Sequence, residues 1–435
     1  MYPRANDLKK IDQVGKEVSL RGWVYRLRRQ KERTFIIIRD DRGGVIQSVF
    51  PTQSVSHLTL ETSVEISGIL QRDSRAPEGG YEIKGIDLKI FHRAENDFPI
   101  GEYQSLGLLL NKRHLALRTR RMISMAKIRS SIMRLAREWL VTNDLLEITA
   151  PILVKGAVEG GSTLFQLKYF GEDVYLSQSA QLYLEAMIFS LGPVWSLSPS
   201  FRAERFKTTR HLSEFSHLEA EVPWVELEDI LAIQEQMISY IVQNIIKENT
   251  EDLFFLKQNI ETLKKIEAPF DRITYKRAIE ILQAKEFNIT EENGKKRRIR
   301  FGDDLNIDSE RELTRVSVKP IFVIGYPMEV KPFYVKRDPQ NNETGLSADM
   351  LAPQGFGEIT SGGMREDDIS SLRKRMIGEG LPLDRYEWYL DTRRYGSIPH
   401  GGFGLGIERL IRWITHTEDI KDTVLFPRTM SRISP

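Results

Sequence analysis

The chain contains no cysteine among its 435 residues, and this absence excludes several kinds of site. Without thiols there is no disulfide, no thiolate metal centre and no cysteine nucleophile. No run approaches the roughly 18 consecutive apolar residues that a membrane-spanning helix needs. The N-terminal segment MYPRANDLKK lacks the apolar core of a signal peptide. We therefore expect a cytoplasmic protein with no membrane partner.

The chain also lacks an excess of charge of either sign. Its net charge is +2 although 29% of its residues are charged. The overall electrostatic field of the protein therefore does not indicate nucleic-acid binding. Such binding would require local basic patches such as RLRRQK at 26–31. The length exceeds that of one ordinary hydrophobic core, so two domains are expected.

Residues 18–93 alternate between apolar and polar positions in short segments separated by Asp, Gly and Pro. The pattern predicts strands at 18–27, 35–39, 45–50, 63–70 and 81–90. Strands this short and close together favour a small barrel of the OB type, a fold that often binds oligonucleotides. A barrel with a structural role alone is the alternative.

From residue 121 onwards strands and helices do not alternate regularly, which disfavours a doubly wound parallel sheet. We predict an α+β fold whose mostly antiparallel sheet is flanked by helices. The proposed domains are a barrel over 1–100, a linker over 101–120 and a catalytic domain over 121–435. Further expected elements are helices at 126–141, 227–247 and 367–380, strands at 321–324, 331–334 and 357–359, and a surface loop at 291–300.

Two segments each set one arginine among residues that fix the backbone: FRAERFKTTRHLSE at 201–214 with Arg202, and GGFGLGIERLIR at 401–412 with Arg409. The glycines of the second segment allow a close backbone approach. The apolar spacing after them predicts a helix whose first turn holds Arg409, where the helix dipole helps a guanidinium to meet a phosphate. A glycine-rich segment alone is more typical of a structural turn.

In this order the two segments resemble motifs 2 and 3 of class II aminoacyl-tRNA synthetases, and nearly the whole chain is similar to the aspartate, asparagine and lysine subgroup. The resemblance implies an OB-fold anticodon-binding barrel before a class II catalytic domain, with ATP as substrate, Mg²⁺ as cofactor and tRNA as partner. It also implies a homodimer, formed through motif 1, which matches the helix and strand that end at Pro151. The amino-acid carboxylate attacks the α-phosphorus of ATP, and the aminoacyl group then passes to the tRNA 3′ end. This chemistry depends on positioning and charge stabilisation.

The family pattern assigns roles to individual residues. Arg202 would bind the α-phosphate and Arg409 the γ-phosphate, while Phe215 would stack on the adenine. Arg202, Arg409 and Glu358 are the expected catalytic residues. The other candidate ATP ligands are Glu204, Arg210, His211, Glu214, Glu358 and Ser361, and the candidate magnesium ligands are Asp349, Glu358 and Ser361.

The segment QSAQLYLE at 178–185 bears on which amino acid is activated. Aspartyl members of the subgroup carry a lysine where Leu184 stands, and a buried aspartate without that cation would cost several kcal/mol. Asparagine has a neutral amide, to which Arg365 could donate and from which Glu185 could accept a hydrogen bond. The runs EVKPFY at 329–334 and DTRRYGSIPHGGFGLG at 391–406 also resemble asparaginyl members of the archaeal and eukaryotic type. Further candidate amino-acid ligands are Gln181, Glu219, His400 and the flipping-loop residue Glu159.

In the barrel, Phe35 resembles the aromatic residue that stacks on the central anticodon base. Gln47 resembles the residue that reads the neighbouring base, and Arg28 is a candidate phosphate or base contact. Phe35 as an ordinary core residue is the alternative.

The expected activity is ATP-dependent formation of asparaginyl-adenylate from L-asparagine, followed by transfer to the 3′ end of tRNA(Asn). Three alternatives stay open on the sequence. They are an aspartyl-tRNA synthetase, either specific or also charging the asparagine tRNA, an enzyme of the asparagine synthetase A type, and a tRNA-binding protein without catalysis.

Overall fold

The computed structural model describes residues 2–10, 14–101, 104–156, 158, 163–204, 209–291 and 294–434. The chain forms two compact units, Met1–Ile123 and Ser124–Pro435. In the described ranges no helix has both the length and the apolar character that crossing a membrane requires.

The first unit contains a closed barrel whose strands follow the order β1-β2-β3-β5-β4. The sequence pattern located each strand to within two residues at either end. The strands are β1 (Glu17–Arg29), β2 (Arg33–Arg39), β3 (Val45–Pro51), β4 (Ser63–Arg72) and β5 (Tyr81–His92). The helices of this unit are α1 (Ala5–Lys10), α2 (Pro77–Gly80), α3 (Leu106–Asn111) and α4 (Arg113–Ala116), the last two within the predicted linker.

Alternation along each strand decides which side chains fill the barrel. On β2, Ile36 and Ile38 are buried in the barrel core, whereas Phe35 and Ile37 lie on the outer face. Successive side chains of a strand point to opposite faces, so one apolar position in two is enough to build the core. The β2–β3 register is regular, and the turn between the two strands includes Gly43 at φ 78°.

The second unit is built on a large sheet of order β12-β15-β16-β17-β18-β11-β10-β6, as traced in the described residues. Its inner pairs are antiparallel, and only the edge pairs β12–β15 and β10–β6 are parallel. The strands are β6 (Leu146–Glu147), β10 (Val194–Phe201), β11 (Glu214–Pro223), β12 (Asp271–Thr274), β15 (Ile321–Ile324), β16 (Ser347–Ala352), β17 (Gly357–Met364) and β18 (His400–Gly406). The predicted mostly antiparallel sheet is confirmed.

Helices cover one face of this sheet. Apolar residues of α5 (Arg120–Thr142), α7 (Leu227–Glu248) and α14 (Ile407–Ile414) pack with apolar strand residues in the main core. The other helices are α6 (Gln181–Leu191), α8 (Thr250–Phe255), α9 (Ile260–Leu263), α10 (Tyr275–Ala284), α11 (Ile307–Thr314), α12 (Ile369–Gly378) and α13 (Glu387–Arg394). A small separate sheet contains β7 (Leu153–Val154), β8 (Gln166–Tyr169) and β9 (Glu172–Leu176).

Two predicted elements are wrong. Residues 331–334 form no strand, because Pro332 lacks a backbone N–H and its carbonyl closes a turn by accepting from Val335 N at 3.1 Å. The predicted surface loop at 291–300 instead contains half of a hairpin, in which β13 (Asn288–Thr290) pairs with β14 (Lys296–Arg298). Gly294, at φ 81°, provides the reversal between the two strands.

The barrel core provides a first test. We expect Ile36→Ala to lower the free energy of unfolding by about 2–5 kcal/mol, because the removed methyl groups leave a cavity among fully buried neighbours. Ile86→Ala, at a position on β5 that is 61% exposed, should change it by less than about 0.5 kcal/mol. Urea unfolding of the full chain, followed by circular dichroism, measures both. Equal effects of the two variants would contradict the assignment of faces.

Candidate functional site

The polar face of the large sheet forms the floor of a cavity of about 690 Å³ in the second unit. Strand β11 shows why this face is polar. Its residues Phe215, His217, Glu219 and Glu221 line the cavity, whereas Leu218, Ala220 and Val222, on the opposite face, belong to the main core. Because successive side chains of a strand point to opposite faces, β11 packs against the core with one face and lines the cavity with the other.

Glycines on the neighbouring strand β18 make room for these polar side chains. A Cβ atom on Gly404 would lie 2.4 Å from Nε2 of His217. One on Gly402 would lie 2.2 Å from the carbonyl oxygen of Ala220 and 2.3 Å from Cδ of Glu221. The glycine-rich run therefore serves close packing across β11 and β18.

Arg409 lies in the first turn of α14, as predicted, and lines the cavity. Its Nη1 is 2.9 Å from Oε1 of Glu358 on β17. Burial alone would raise the pKa of Glu358, but the charges of Arg409, Arg210 and other cations outweigh it and lower the pKa to about 2. Arg202 also lines the cavity, with its guanidinium 5.5 Å from the centre of the Phe215 ring. Two guanidiniums and an aromatic ring thus face one end of the cavity.

Arg210 is nearly buried and donates to Oε2 of Glu310 at 2.9 Å. The same carboxylate oxygen accepts from the backbone N–H of Glu358 at 2.9 Å, and burial raises the pKa of Glu310 to about 7 although Arg210 opposes it. His211 Nδ1 and Glu204 Oε2 are 3.1 Å apart. Burial, and then the charge of Arg409, lowers the pKa of His211, which favours a neutral ring. Sequence reasoning missed Glu310, which is distant in the chain from the residues it contacts.

The three candidate magnesium ligands all line the cavity. Asp349 on β16 accepts from Ser361 Oγ at 2.6 Å and from Lys331 Nζ at 2.8 and 3.0 Å. Within the described ranges no three His, Asp or Glu side chains are grouped to hold a metal ion. Mg²⁺ commonly takes only one or two carboxylates and completes its shell with phosphate and water. The oxygens of Asp349, Glu358 and Ser361 fit that ligand preference.

The other end of the cavity contains a buried ion pair between Arg365, which the sequence analysis predicted as a site residue, and Glu221, which it did not. Arg365, which follows β17, donates through Nε to both carboxylate oxygens of Glu221 at 3.0 and 3.2 Å. Burial raises the pKa of Glu221 to about 7, opposed by Arg365 and reinforced by the negative charge of Glu185. Glu221 was missed, although its place in the alternation of EFSHLEAE could have indicated it.

Next to this pair, Glu219 accepts from the backbone N–H of Ala180 at 2.8 Å and from the hydroxyl of Ser179. Gln181, at the start of α6, lines the same part of the cavity. Acceptor atoms therefore concentrate at this corner, which suits a ligand that donates hydrogen bonds.

Several predicted site residues lie elsewhere. Leu184 packs in a small apolar cluster with Ala180, Ile188 and Val194, away from the cavity lining. Glu185 and His400 are fully buried and bonded to each other behind the cavity, so neither is placed to contact a ligand in it.

Glu214 is exposed and does not line the cavity, because strand parity puts it on the face opposite to Phe215. Glu159 lies outside the described residues.

The barrel residues lie together on the outer face of the first unit. Arg28 is the cross-strand partner of Phe35, with its guanidinium 4.4 Å from the ring centre. Phe35 is half-buried outside the barrel core, so the alternative of a core phenylalanine is wrong. Gln47 is nearly buried and donates to Oε2 of Glu82 at 2.7 Å.

Comparison with known proteins agrees with this geometry. A family model described as tRNA synthetases class II (D, K and N) matches residues 105–430, and one described as OB-fold nucleic acid binding domain matches residues 18–91. The asparagine–tRNA ligase of Thermococcus kodakarensis is 46% identical over 429 residues, which cover 97% of this chain and 96% of that relative.

Two solved structures are similar over their whole length. Asparaginyl-tRNA synthetase from Pyrococcus horikoshii, complexed with asparaginyl-adenylate, superposes with a TM-score of 0.93 at 44% identity and covers 100% of both chains. The enzyme from Entamoeba histolytica, in complex with asparaginyl-adenylate, has a TM-score of 0.89 at 32% identity and covers 98% of both chains.

The close packing of β18 on β11 is testable. We expect Gly402→Ala to destabilise the protein by about 1–3 kcal/mol, because the added methyl group collides with the backbone of Ala220 and displaces Glu221. The control is Gly378→Ala at the end of α12, where a Cβ atom meets nothing within 4 Å. Thermal unfolding compares the two variants. An unchanged melting temperature for Gly402→Ala would contradict the predicted clash.

Proposed function

Since the chain belongs to the class II tRNA synthetases of the D, K and N group, we propose that it is an asparagine–tRNA ligase. It activates L-asparagine with ATP to form asparaginyl-adenylate and transfers the aminoacyl group to tRNA. Full-length similarity to asparaginyl-tRNA synthetases, two of them solved with asparaginyl-adenylate, supports this activity.

The observation that carries the choice of amino acid is the Arg365–Glu221 pair at one end of the cavity. A side-chain amide has one acceptor and one donor group, which match a guanidinium and a carboxylate respectively. An aspartate carboxylate would instead meet the negative charge of Glu221. Leu184 adds no cation that could neutralise it, although an aspartyl relative carries lysine there. The site therefore favours asparagine, because one carboxylate oxygen of the acid would face the carboxylate of Glu221.

The opposite end of the cavity suits the triphosphate. In the proposed arrangement, Arg202 binds the α-phosphate, Arg409 the γ-phosphate, and Phe215 stacks on the adenine ring. Glu204, Arg210 and His211 surround the same end. The attack of the asparagine carboxylate on the α-phosphorus forms the acyl phosphate bond and expels pyrophosphate. The guanidiniums stabilise the negative charge that develops on the phosphoryl oxygens.

Magnesium would be held by Asp349, Glu358 and Ser361 together with phosphate oxygens. When bound, the ion neutralises phosphate charge and orients the phosphates for in-line displacement. The low pKa of Glu358 keeps that carboxylate ionised and ready to act as a ligand at neutral pH.

Further contacts complete the proposal. The α-ammonium of asparagine lies against Glu219 and Gln181. The role of Glu159 stays a prediction from the family resemblance. The outer face of the barrel contacts the anticodon: Phe35 stacks on the central base, Arg28 contacts a phosphate or base, and Gln47 forms hydrogen bonds with the neighbouring base. Homodimer formation and residence in the cytoplasm stay predictions from the family resemblance.

A pyrophosphate-exchange assay with ATP, Mg²⁺ and each of the twenty amino acids tests the function. We expect exchange with asparagine and charging of tRNA(Asn). Faster exchange with aspartate would favour an aspartyl enzyme, and release of free asparagine from aspartate and ammonia without tRNA would favour the synthetase A type. Exchange with no amino acid would favour a tRNA-binding protein without catalysis.

Glu221→Gln tests the amide-reading pair. We expect the ratio of kcat/KM for asparagine to that for aspartate to fall about 10-fold to 100-fold, because a charged hydrogen bond is worth about 1.5–3 kcal/mol. The substitution also removes the charge that repels aspartate. The control is Glu235→Gln, which alters a buried carboxylate that pairs with Arg272 away from the cavity. An unchanged ratio in Glu221→Gln would refute the role of Glu221.

A further inference from the structure

Behind the amino-acid end of the cavity lies a buried hydrogen-bonded group around Glu185, here named the Glu185 cluster. It contains Glu185, Gln181, Tyr389, Arg393 and His400, and Glu185 has no exposed surface. Only Gln181 also lines the cavity. The reaction described above assigns no role to the other four residues.

The two carboxylate oxygens of Glu185 have different partners. Oε2 accepts hydrogen bonds from the hydroxyl of Tyr389 at 2.7 Å and from the guanidinium of Arg393. It also lies 3.2 Å from Nε2 of His400. Oε1 accepts from Nε2 of Gln181 at 2.9 Å. Burial alone would raise the pKa of Glu185, but the charge of Arg393 and the hydrogen bond from His400 outweigh it and lower the pKa. The carboxylate is therefore ionised, and it can only accept hydrogen bonds.

This acceptor decides which way the amide of Gln181 faces. A primary amide can present either its NH₂ group or its carbonyl oxygen to a given neighbour by turning about its last torsion. Because an ionised carboxylate only accepts, the NH₂ group of Gln181 must face Glu185. The carbonyl oxygen of Gln181 is thereby left for the cavity.

The neighbourhood of that oxygen is complementary to a cation. Glu219 lines the same corner of the cavity, where its carboxylate accepts from the backbone N–H of Ala180 and the hydroxyl of Ser179. A carboxylate beside an outward-facing carbonyl oxygen offers acceptors only. A protonated primary amine is the ligand group that satisfies such a corner.

We propose that Glu185 is a positioning residue that sets the polarity of the amino-acid pocket: it turns the carbonyl oxygen of Gln181 towards the α-ammonium of the substrate without contacting the substrate itself. Tyr389, Arg393 and His400 hold Oε2, so that Oε1 stays available to Gln181. The segment that contains Arg393 and His400 thus acts on the substrate through two intermediate side chains. This inference rests on the proposed function, since it takes asparagine as the ligand.

The test compares the binding of asparagine with that of succinamic acid, the same molecule without its α-amino group, by titration calorimetry. We expect wild-type protein to prefer asparagine strongly. In Glu185→Gln the residue at 185 can donate as well as accept, so Gln181 can turn its NH₂ group towards the ammonium. The preference for asparagine over succinamic acid should then fall at least 10-fold.

Two further variants make the outcome specific. The exchange Gln181→Glu with Glu185→Gln reverses the hydrogen bond and again leaves an acceptor facing the cavity, so it should restore the preference. Glu185→Asp keeps the charge beside Arg393 but withdraws from Gln181, so it should also lower the preference, and it provides the test if Glu185→Gln does not fold. Glu235→Gln, the buried control, should leave the preference unchanged.

A role in folding alone predicts a different result. Weaker binding of both ligands by the same factor in Glu185→Gln, or no recovery in the double exchange, would overturn the proposal. Failure of the wild-type protein to bind asparagine would instead refute the proposed function, so the two failures are distinguishable.

Discussion

The cavity depends on one constraint: charged side chains that are buried on the polar face of the sheet must be paired. A buried charge without a partner costs several kcal/mol. Among the described residues, Glu221 faces Arg365, Glu358 faces Arg409, Glu310 faces Arg210 and Asp349 faces Lys331. Because each of these four carboxylates already has a cation, a ligand that binds beside one of them would have to exchange partners with it. In the proposed function, a phosphate would compete with Glu358 for Arg409, and an amide would insert its carbonyl and NH₂ groups beside Arg365 and Glu221.

Pairing of this kind requires backbones that approach each other closely. The strands and glycine-rich turns that allow this approach can be predicted from the sequence, because they depend on short-range patterns. The alternation of each barrel strand and the glycines before Arg409 are short-range patterns, so the strands and the first-turn position of Arg409 follow from them. The error at 331–334 is of the same local kind. Pro332 interrupts an apolar run that otherwise resembles a strand.

What the sequence could not provide is the rotation of a helix relative to a cavity. On α6, Gln181 and Glu185 are one turn apart and hydrogen-bonded, whereas Leu184 turns towards Ile188 in a separate apolar cluster. Family resemblance marks 184 and 185 as positions of interest but does not say which side chain reaches the ligand. The other partners of Glu185, which are Tyr389, Arg393 and His400, lie more than 200 residues away along the chain, in and after α13. Such pairings form only when the sheet is assembled, so they cannot be predicted from a local sequence pattern.

Leu184 lies outside the cavity, so the charge balance at the amino-acid end is set by other residues. At the amino-acid end, the carboxylates of Glu185, Glu219 and Glu221 face the guanidiniums of Arg365 and Arg393. A ligand with an ammonium group and a neutral amide adds the missing positive charge to this corner. A ligand with a second carboxylate would restore the excess of negative charge, in a place where burial already raises the pKa of Glu221 to about 7.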